Sequence, residues 1–361
     1  MKVGLVLGGG GFVGGAWLTG ALEALEEATG WRPRQADHIV GTSAGAMIAA
    51  LTAAGVPACE IPGLFVGKSH ESSALDAALR ERPVGAALKW QGGIPSPLFA
   101  SLRLALTALR HPRQVPVGVV LAALLPRGPF STEPLKDTVR QIVPDGWVGH
   151  PNLWLMATDL DTGERVAFGR EGAPTAHLAE AVAASCAIPG FYHPVAIDGR
   201  TFVDGGCWSP ANLDVLEPLK LDVVICLNPT SSLERSKRWR DSLSNVYRNA
   251  SGRQLAWEAH KLRRTGTRIV LFQPSIEALL VMGTNLMRSD DLELITDVAR
   301  ESVAQQLLTP DYRACVAVLR KLAGADRPSA PRRARRVASK AIGRISAASG
   351  RPARAQASKT A

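Results

Sequence analysis

A serine hydroxyl becomes a nucleophile when a base takes its proton and amide N–H groups receive the charge that develops on the substrate. Gly41-Thr-Ser43-Ala-Gly45 has the form G-x-S-x-G and lies between an apolar run, His38-Ile-Val40, and an alanine-rich stretch from Ala44 to Ala54. A serine at the apex of a sharp strand-to-helix turn holds its hydroxyl clear of the backbone. Gly41 and Gly45 then let the flanking chains approach without a Cβ clash. The chain has 34 glycines, so the pattern alone arises readily by chance. The strand before it and the helix after it give it weight.

The second requirement, amide donors, is offered by Gly8-Gly9-Gly10-Gly11-Phe12-Val13-Gly14, which follows the apolar run Val3 to Leu7. Backbone N–H groups of Gly9, Gly10 and Gly11, converging with that of Ala44 at a helix start, would form an oxyanion hole. The plain alternative is a glycine loop that only permits close packing. Read from Gly9, the same residues spell G-x-G-x-x-G, the dinucleotide fingerprint. An NAD(P)-binding oxidoreductase is therefore a rival reading. That reading needs an acidic residue at the end of the second strand, where this chain has Val40-Gly41-Thr42-Ser43. None of the tyrosines, Tyr192, Tyr247 and Tyr312, has a lysine four residues on.

The base is less obvious. His260 follows the acidic candidates but sits in a polar, charged stretch that reads as a solvated helix, and His193 lies between Tyr192 and Pro194 in a loop. Asp204, in Arg200-Thr-Phe-Val-Asp204-Gly205-Gly206, is the stronger candidate. It ends an apolar strand, and the hairpin turn before that strand is already made by Asp198-Gly199. Its carboxylate is thus free for another role.

The elements that must position these residues follow from periodicity. Residues 3–7 predict a strand, and Leu18, Ala21, Leu22, Leu25 and Ala28 predict a helix over 16–28 closed by Gly30. Strand 38–40 and helix 44–54 follow. The region from Pro57 to His150 is proline-rich and loosely patterned, and reads as a helical insertion over 58–150. Strands near 153–158 and 165–168, a helix over 175–186, a hairpin over 195–203 and a strand at 222–227 come next. A polar helix near 236–264, a strand at 267–272 and helices near 291–307 and 311–322 complete the body. Such alternation predicts a three-layer α/β/α domain on a mostly parallel sheet, spanning residues 1–323.

Composition narrows the setting. The chain has 42 basic and 32 acidic residues, and ten of the basic ones lie between Arg327 and the C-terminus, where there is no acid. Subtraction leaves 32 against 32 in residues 1–326, so the body is formally neutral and the excess sits in the tail. Five scattered cysteines, Cys59, Cys186, Cys207, Cys226 and Cys315, without a C-x-x-C pair, suggest free thiols in a reducing compartment. The longest apolar run, Val115 to Leu125, is too short to span a bilayer. A cytoplasmic chain, peripheral at the membrane, is the expectation.

With these pieces assembled, the chain resembles the patatin-like phospholipases, lipid acyl hydrolases that use a Ser–Asp dyad without histidine. The matching segments are Gly9 to Gly14, Gly41 to Gly45 and Asp204-Gly205-Gly206, in that order. Ala157-Thr-Asp-Leu-Asp-Thr-Gly-Glu164 and Ala184-Ser-Cys-Ala-Ile-Pro-Gly190 support them. The resemblance runs over about residues 1–310 and is loose between 60 and 150. It implies Ser43 as nucleophile, Asp204 as proton acceptor and the first glycine loop as oxyanion hole. No metal or cofactor is called for, and the implied substrate is a lipid or other acyl ester. The chain departs from the family at Val13, where Arg or Lys is usual, and at Trp17, where histidine is common. The departure favours neutral esters, or a catalytically silent lipid-binding relative.

Three further segments invite readings. Asp159-Leu-Asp161-Thr-Gly163 hints at a calcium loop but lacks the rest of that pattern, and is expected to be a hairpin turn. Leu98, Leu102, Ala105 and Leu109 share one face of a basic amphipathic stretch, 98–110, suited to a lipid interface or to burial. The tail, 324–361, rich in Arg, Ala, Ser and Pro, reads as disordered in isolation. Attraction to anionic lipid is its second reading. Nucleic acid is not an expected partner, since the tail has no stacking aromatics.

Overall fold

The structure is a computed structural model that describes residues 1–66, 89–90, 100–101, 104, 116–232 and 243–324. Its strands in chain order are β1 (Val3–Leu7), β2 (His38–Thr42), β3 (Lys89–Trp90), β4 (Phe130–Ser131) and β5 (Leu153–Asp159). They continue with β6 (Arg165–Phe168), β7 (Val195–Ile197), β8 (Arg200–Asp204), β9 (Val223–Leu227) and β10 (Arg268–Phe272). Strands β10, β9, β1, β2 and β5 lie side by side in that order, all parallel. Strands β6, β7 and β8 add an antiparallel flank, and β3 pairs with β4 apart from the main sheet.

Alternation along the strands builds two cores. Val3, Leu5 and Leu7 point to one face, where the helices Gly11–Thr29, Ala44–Ala54, Leu292–Leu308 and Arg313–Ala323 pack. Val6, Val40, Met156, Val224 and Cys226 point to the other, covered by Leu255, Ala259 and Leu262 of the helix Leu243–Arg264. Burial on both faces is why these strands read as continuous apolar runs rather than as alternating ones. The expected three-layer α/β/α architecture is present.

The first helix begins at Gly11, five residues before the apolar spacing predicts. Glycine costs about 1 kcal/mol in a helix interior, which is why the spacing argument stops at Ala16. Here tertiary contacts offset that cost: Phe12 and Val13 are buried, and Val13 N–H donates to Leu286 O at 3.2 Å. Farther along the same helix, Thr296 Oγ1 donates to Ala16 O at 3.1 Å, docking it on the helix Leu292–Leu308. The Asp198-Gly199 turn falls where expected, both residues at positive φ (50° and 70°), as a two-residue hairpin requires. The helix predicted over 175–186 is shorter, Leu178–Ser185, and Ile276–Met282 forms a helix that periodicity did not indicate. The 58–150 region contains the helices Ile61–Val66, Val117–Leu124 and Glu133–Ile142. Most of segment 98–110, the start of the helix predicted near 236, and the tail from 325 lie outside the described residues.

One feature of strand pairing positions everything that follows. Leu155 and Met156 pair with β2 on one side and β6 on the other, while Ala157 and Thr158 pair with β6 and β8. Strands β2 and β8 therefore occupy the same edge of β5, running toward each other and meeting end to end. Thr42 stands opposite Met156, and Asp204 opposite the next residue, Ala157. The residue after Thr42 is Ser43.

Candidate active site

Ser43 leaves β2 with φ 55° and ψ −125°, a conformation that non-glycine residues rarely adopt. Its neighbours make this turn obligatory. A Cβ on Gly45 would stand 2.1 Å from Leu7 O, and one on Gly41 would stand 2.6 Å from the Ala46 Cα. Both glycines of the G-x-S-x-G sequence are thus required by close approach, and the Gly45 contact presses the elbow against the end of β1. Ser43 is 6% exposed and Asp204 4%.

Three consecutive residues hold both. Ser185 Oγ accepts a hydrogen bond from Ser43 N–H at 3.0 Å and donates to Met156 O at 2.6 Å. Cys186 Sγ donates to Ser43 O at 3.1 Å. Asp204 N–H donates to Ala187 O at 3.0 Å. Sequence reasoning quoted this segment, Ala184 to Gly190, without giving any of its residues a role. The available signal was a serine on the buried side of an alanine-rich helix, which needs partners. Ser185→Ala would leave the Ser43 N–H and Met156 O unsatisfied, at about 1–3 kcal/mol for each buried group. We expect kcat on a dissolved ester to fall at least tenfold with KM little changed, and the urea midpoint to drop. Steady-state kinetics and denaturation check both.

The Asp204 carboxyl has its pKa pushed up to about 6 by burial, against the hydrogen bonds it accepts from the Ser43 hydroxyl and from Gly206 N–H. The Gly206 bond measures 2.7 Å. The carboxylate of Asp159, by contrast, is held below the ordinary value: burial raises it, but N–H donors from Thr162 and Asp161 and the Arg200 guanidinium prevail. Asp159 Oδ1 accepts both N–H bonds at 2.8 Å and Oδ2 accepts from Arg200 at 2.7 Å, so this segment is the hairpin turn expected of it. His260 is exposed on its helix, and no histidine bonds to Ser43 among the described residues.

The glycine loop needs one correction as a set of donors. Gly9 N–H is committed to Pro210 O at 2.8 Å, so it is not open to an oxyanion. Gly9 serves by proximity instead: a Cβ there would meet the Ser43 Cβ at 3.1 Å. The N–H groups of Gly10, Gly11 and Ala44 donate to no acceptor among the described residues. Gly14 N–H donates to Gly10 O at 2.8 Å and closes the first helical turn. Ser209, just before Pro210, is held in turn by Asn212, whose Nδ2 donates to Ser209 O at 2.5 Å, Thr42 Oγ1 at 3.1 Å and Gly205 O at 3.3 Å. Asn212 thereby ties the strand before Ser43 to the turn after Asp204, a role that no local pattern announces.

From Ser43 an apolar slot opens, lined by Phe12, Met47, Leu135, Ile188, Tyr192 and Met287. Val13 is fully buried, and Trp17 is buried with its Nε1 unpartnered among the described residues. The loop that would grip a dinucleotide thus closes on the Ser43 elbow.

An α/β fold with a strained serine at a strand-to-helix turn defines the class. The family model described as patatin-like phospholipase matches residues 5–217, and the chain belongs to that family. It is also similar to the crystal structure of VipD from Legionella pneumophila, at 14% identity and a TM-score of 0.38, over 85% of this chain and 66% of that one. This chain therefore spans just under two thirds of the VipD chain. Among the described residues no helix is long and apolar enough to cross a membrane.

Proposed function

We infer that the protein hydrolyses lipid acyl esters through a Ser43–Asp204 dyad. The observation that carries this reading is the end-to-end meeting of β2 and β8, which puts an elbow serine beside a buried carboxylate of raised pKa. Asp204 accepts the Ser43 proton as Oγ attacks the ester carbonyl, and the N–H groups of Gly10, Gly11 and Ala44 receive the oxyanion. The alcohol leaves with a proton returned by Asp204. Water then attacks the acyl-enzyme with Asp204 again as base, releasing the acid and freeing Ser43. The apolar slot suits an acyl chain. A fluorophosphonate probe tests the proposal: it should label the chain at Ser43, and an unlabelled, folded protein would favour the silent lipid-binding relative.

A lipid surface is the proposed partner, and the helix Val117–Leu124 is the element that supports it best. Residues 117–126 carry no charge, yet Val117, Leu121, Leu124 and Leu125, at i, i+4, i+7 and i+8, are 75%, 55%, 43% and 42% exposed. A helix apolar all round is normally buried. Its inner face packs Val119, Ala122 and Ala123 on Leu160 and Val203, and Leu125 touches Gly190, two residues from Ile188 of the slot. Val117→Asp with Leu121→Asp should lower sedimentation with phosphatidylcholine vesicles about tenfold relative to hydrolysis of a dissolved ester. Undiminished sedimentation would rule out this surface. Of the amphipathic segment 98–110, only Ala100, Ser101 and Leu104 are described, and the tail is not, so lipid contact through them stays a proposal of the sequence.

A further inference from the structure

The glycine loop carries no charge from Gly8 to Trp17, and the slot beside Ser43 has no cationic side chain in its lining. A cation nevertheless stands behind the glycine loop, on the helix that covers the opposite face of the sheet. The first described turns of the helix Leu243–Arg264 border the same end of the strands as Ser43 and Asp204. Tyr247, partly exposed, lies in these turns. The next residue, Arg248, donates from Nη1 to Pro229 O at 2.9 Å. The Pro229 ring abuts the oxyanion loop: its Cγ lies 3.0 Å from where a Cβ on Gly10 would be, and 3.1 Å from that of Gly14.

Arg248 differs from the other arginines around the site in its partners. Arg288, next to Met287 of the slot, is paired with Asp290 and Asp291; Arg165 is paired with Asp214, and Arg200 with Asp159. Arg248 has no carboxylate within 4 Å among the described residues, and its one hydrogen bond there goes to a neutral carbonyl. It is half-buried, and loss of solvent disfavours its charged form. A guanidinium carries five N–H donors in a planar fork suited to two oxygens of one anion. A partly desolvated cation without a counter-ion is unfavourable unless a bound anion completes it.

We propose that Arg248 is the specificity-determining cation of the site, binding the phosphoryl group of an acyl-ester substrate while Gly10 and its neighbours face the scissile carbonyl. It takes the place left uncharged by Val13, from a helix some 230 residues farther along the chain. The proposal rests on Ser43 being the nucleophile. A purely structural role, clipping the Pro229 turn, is the competing account, and it predicts equal effects on all esters.

The test uses the full chain and two dissolved substrates with the same acyl chains, dihexanoyl phosphatidate and dihexanoylglycerol. Arg248→Gln should lower the ratio of kcat/KM for the phosphorylated ester to that for the neutral ester at least tenfold, chiefly through KM. Arg248→Lys should recover part of it. Equal losses on both esters, or an unchanged ratio, would overturn the proposal. Inhibition of dihexanoylglycerol hydrolysis by inorganic phosphate, with no preference between the two esters, would also overturn it in favour of a free-anion site. Calorimetric binding of dihexanoyl phosphatidate to Ser43→Ala, with and without Arg248→Gln, separates this idea from the hydrolase reading. Arg248-dependent binding by a chain whose wild type hydrolyses neither ester would sink the hydrolase and keep the subsite. Hydrolysis of both esters with binding indifferent to Arg248 would do the reverse.

Discussion

Ser43→Ala should lower acyl-ester hydrolysis by about 10⁴-fold or more, because the missing Oγ is the atom that forms the acyl bond. The loss should come without unfolding. Alanine can occupy the same backbone conformation, since the strain at Ser43 is imposed by Gly41, Gly45 and the bonds from Ser185 and Cys186, none of which involves the Ser43 hydroxyl. The urea midpoint should therefore move little at neutral pH, while fluorophosphonate labelling disappears. Removing the hydroxyl also removes one of the hydrogen bonds that hold the Asp204 pKa down, so that carboxyl should titrate above about 6 in the variant. Full activity in purified Ser43→Ala would end the dyad proposal.

Asp204→Asn should cost about 10³-fold or more in kcat/KM, the scale expected when a positioned base is replaced by a group that cannot accept a proton. The wild type gives the matching pH profile. With a pKa of about 6, the carboxyl is protonated at lower pH, so kcat/KM should fall tenfold per pH unit below that value and level off above it. The same displacement has the opposite consequence for stability. The folded state raises the pKa from 3.8 to about 6, so it prefers the neutral carboxyl. The favourable contribution is complete below pH 3.8 and is lost as pH rises through 6, amounting to about 3 kcal/mol at pH 8. Asparagine cannot ionise and keeps an oxygen for the Gly206 N–H. Asp204→Asn should then be the more stable protein at pH 8, by up to about 3 kcal/mol, and should converge on the wild type near pH 4. Urea denaturation at the two pH values checks this. A variant less stable at pH 8 than at pH 4, relative to wild type, would mean that the carboxylate is not desolvated as the geometry implies.

A carboxyl buried until it is reluctant to ionise supports the role proposed for Asp204, since such shifts cluster at functional sites. Ser43 and Asp204 lie where strands end and Asn212 where a 3-10 helix begins, and Ser43 and Asn212 have a positive φ. The chain belongs to the patatin-like phospholipase family, while the neutral slot and Arg248, which has no carboxylate partner among the described residues, bear on the proposed choice of ester.

The sequence by itself determined the local pieces. Short apolar runs bounded by glycine or by polar turn residues specified the strands, G-x-S-x-G marked the elbow, and Asp198-Gly199 fixed the hairpin, because each depends on residues close together in the chain. What only the tertiary structure decided is how those pieces meet. No local pattern says that β2 and β8, 161 residues apart at Ser43 and Asp204, end against each other on one edge of β5. The same holds for the capture of the Gly9 N–H by Pro210, and for the hydrogen bonds that Ser43 makes with Ser185 and Cys186 and that Asp204 makes with Ala187. Hydrogen bonds and desolvation act through space, so the availability of an amide and the pKa of a carboxyl are set by neighbours that the order of residues does not name.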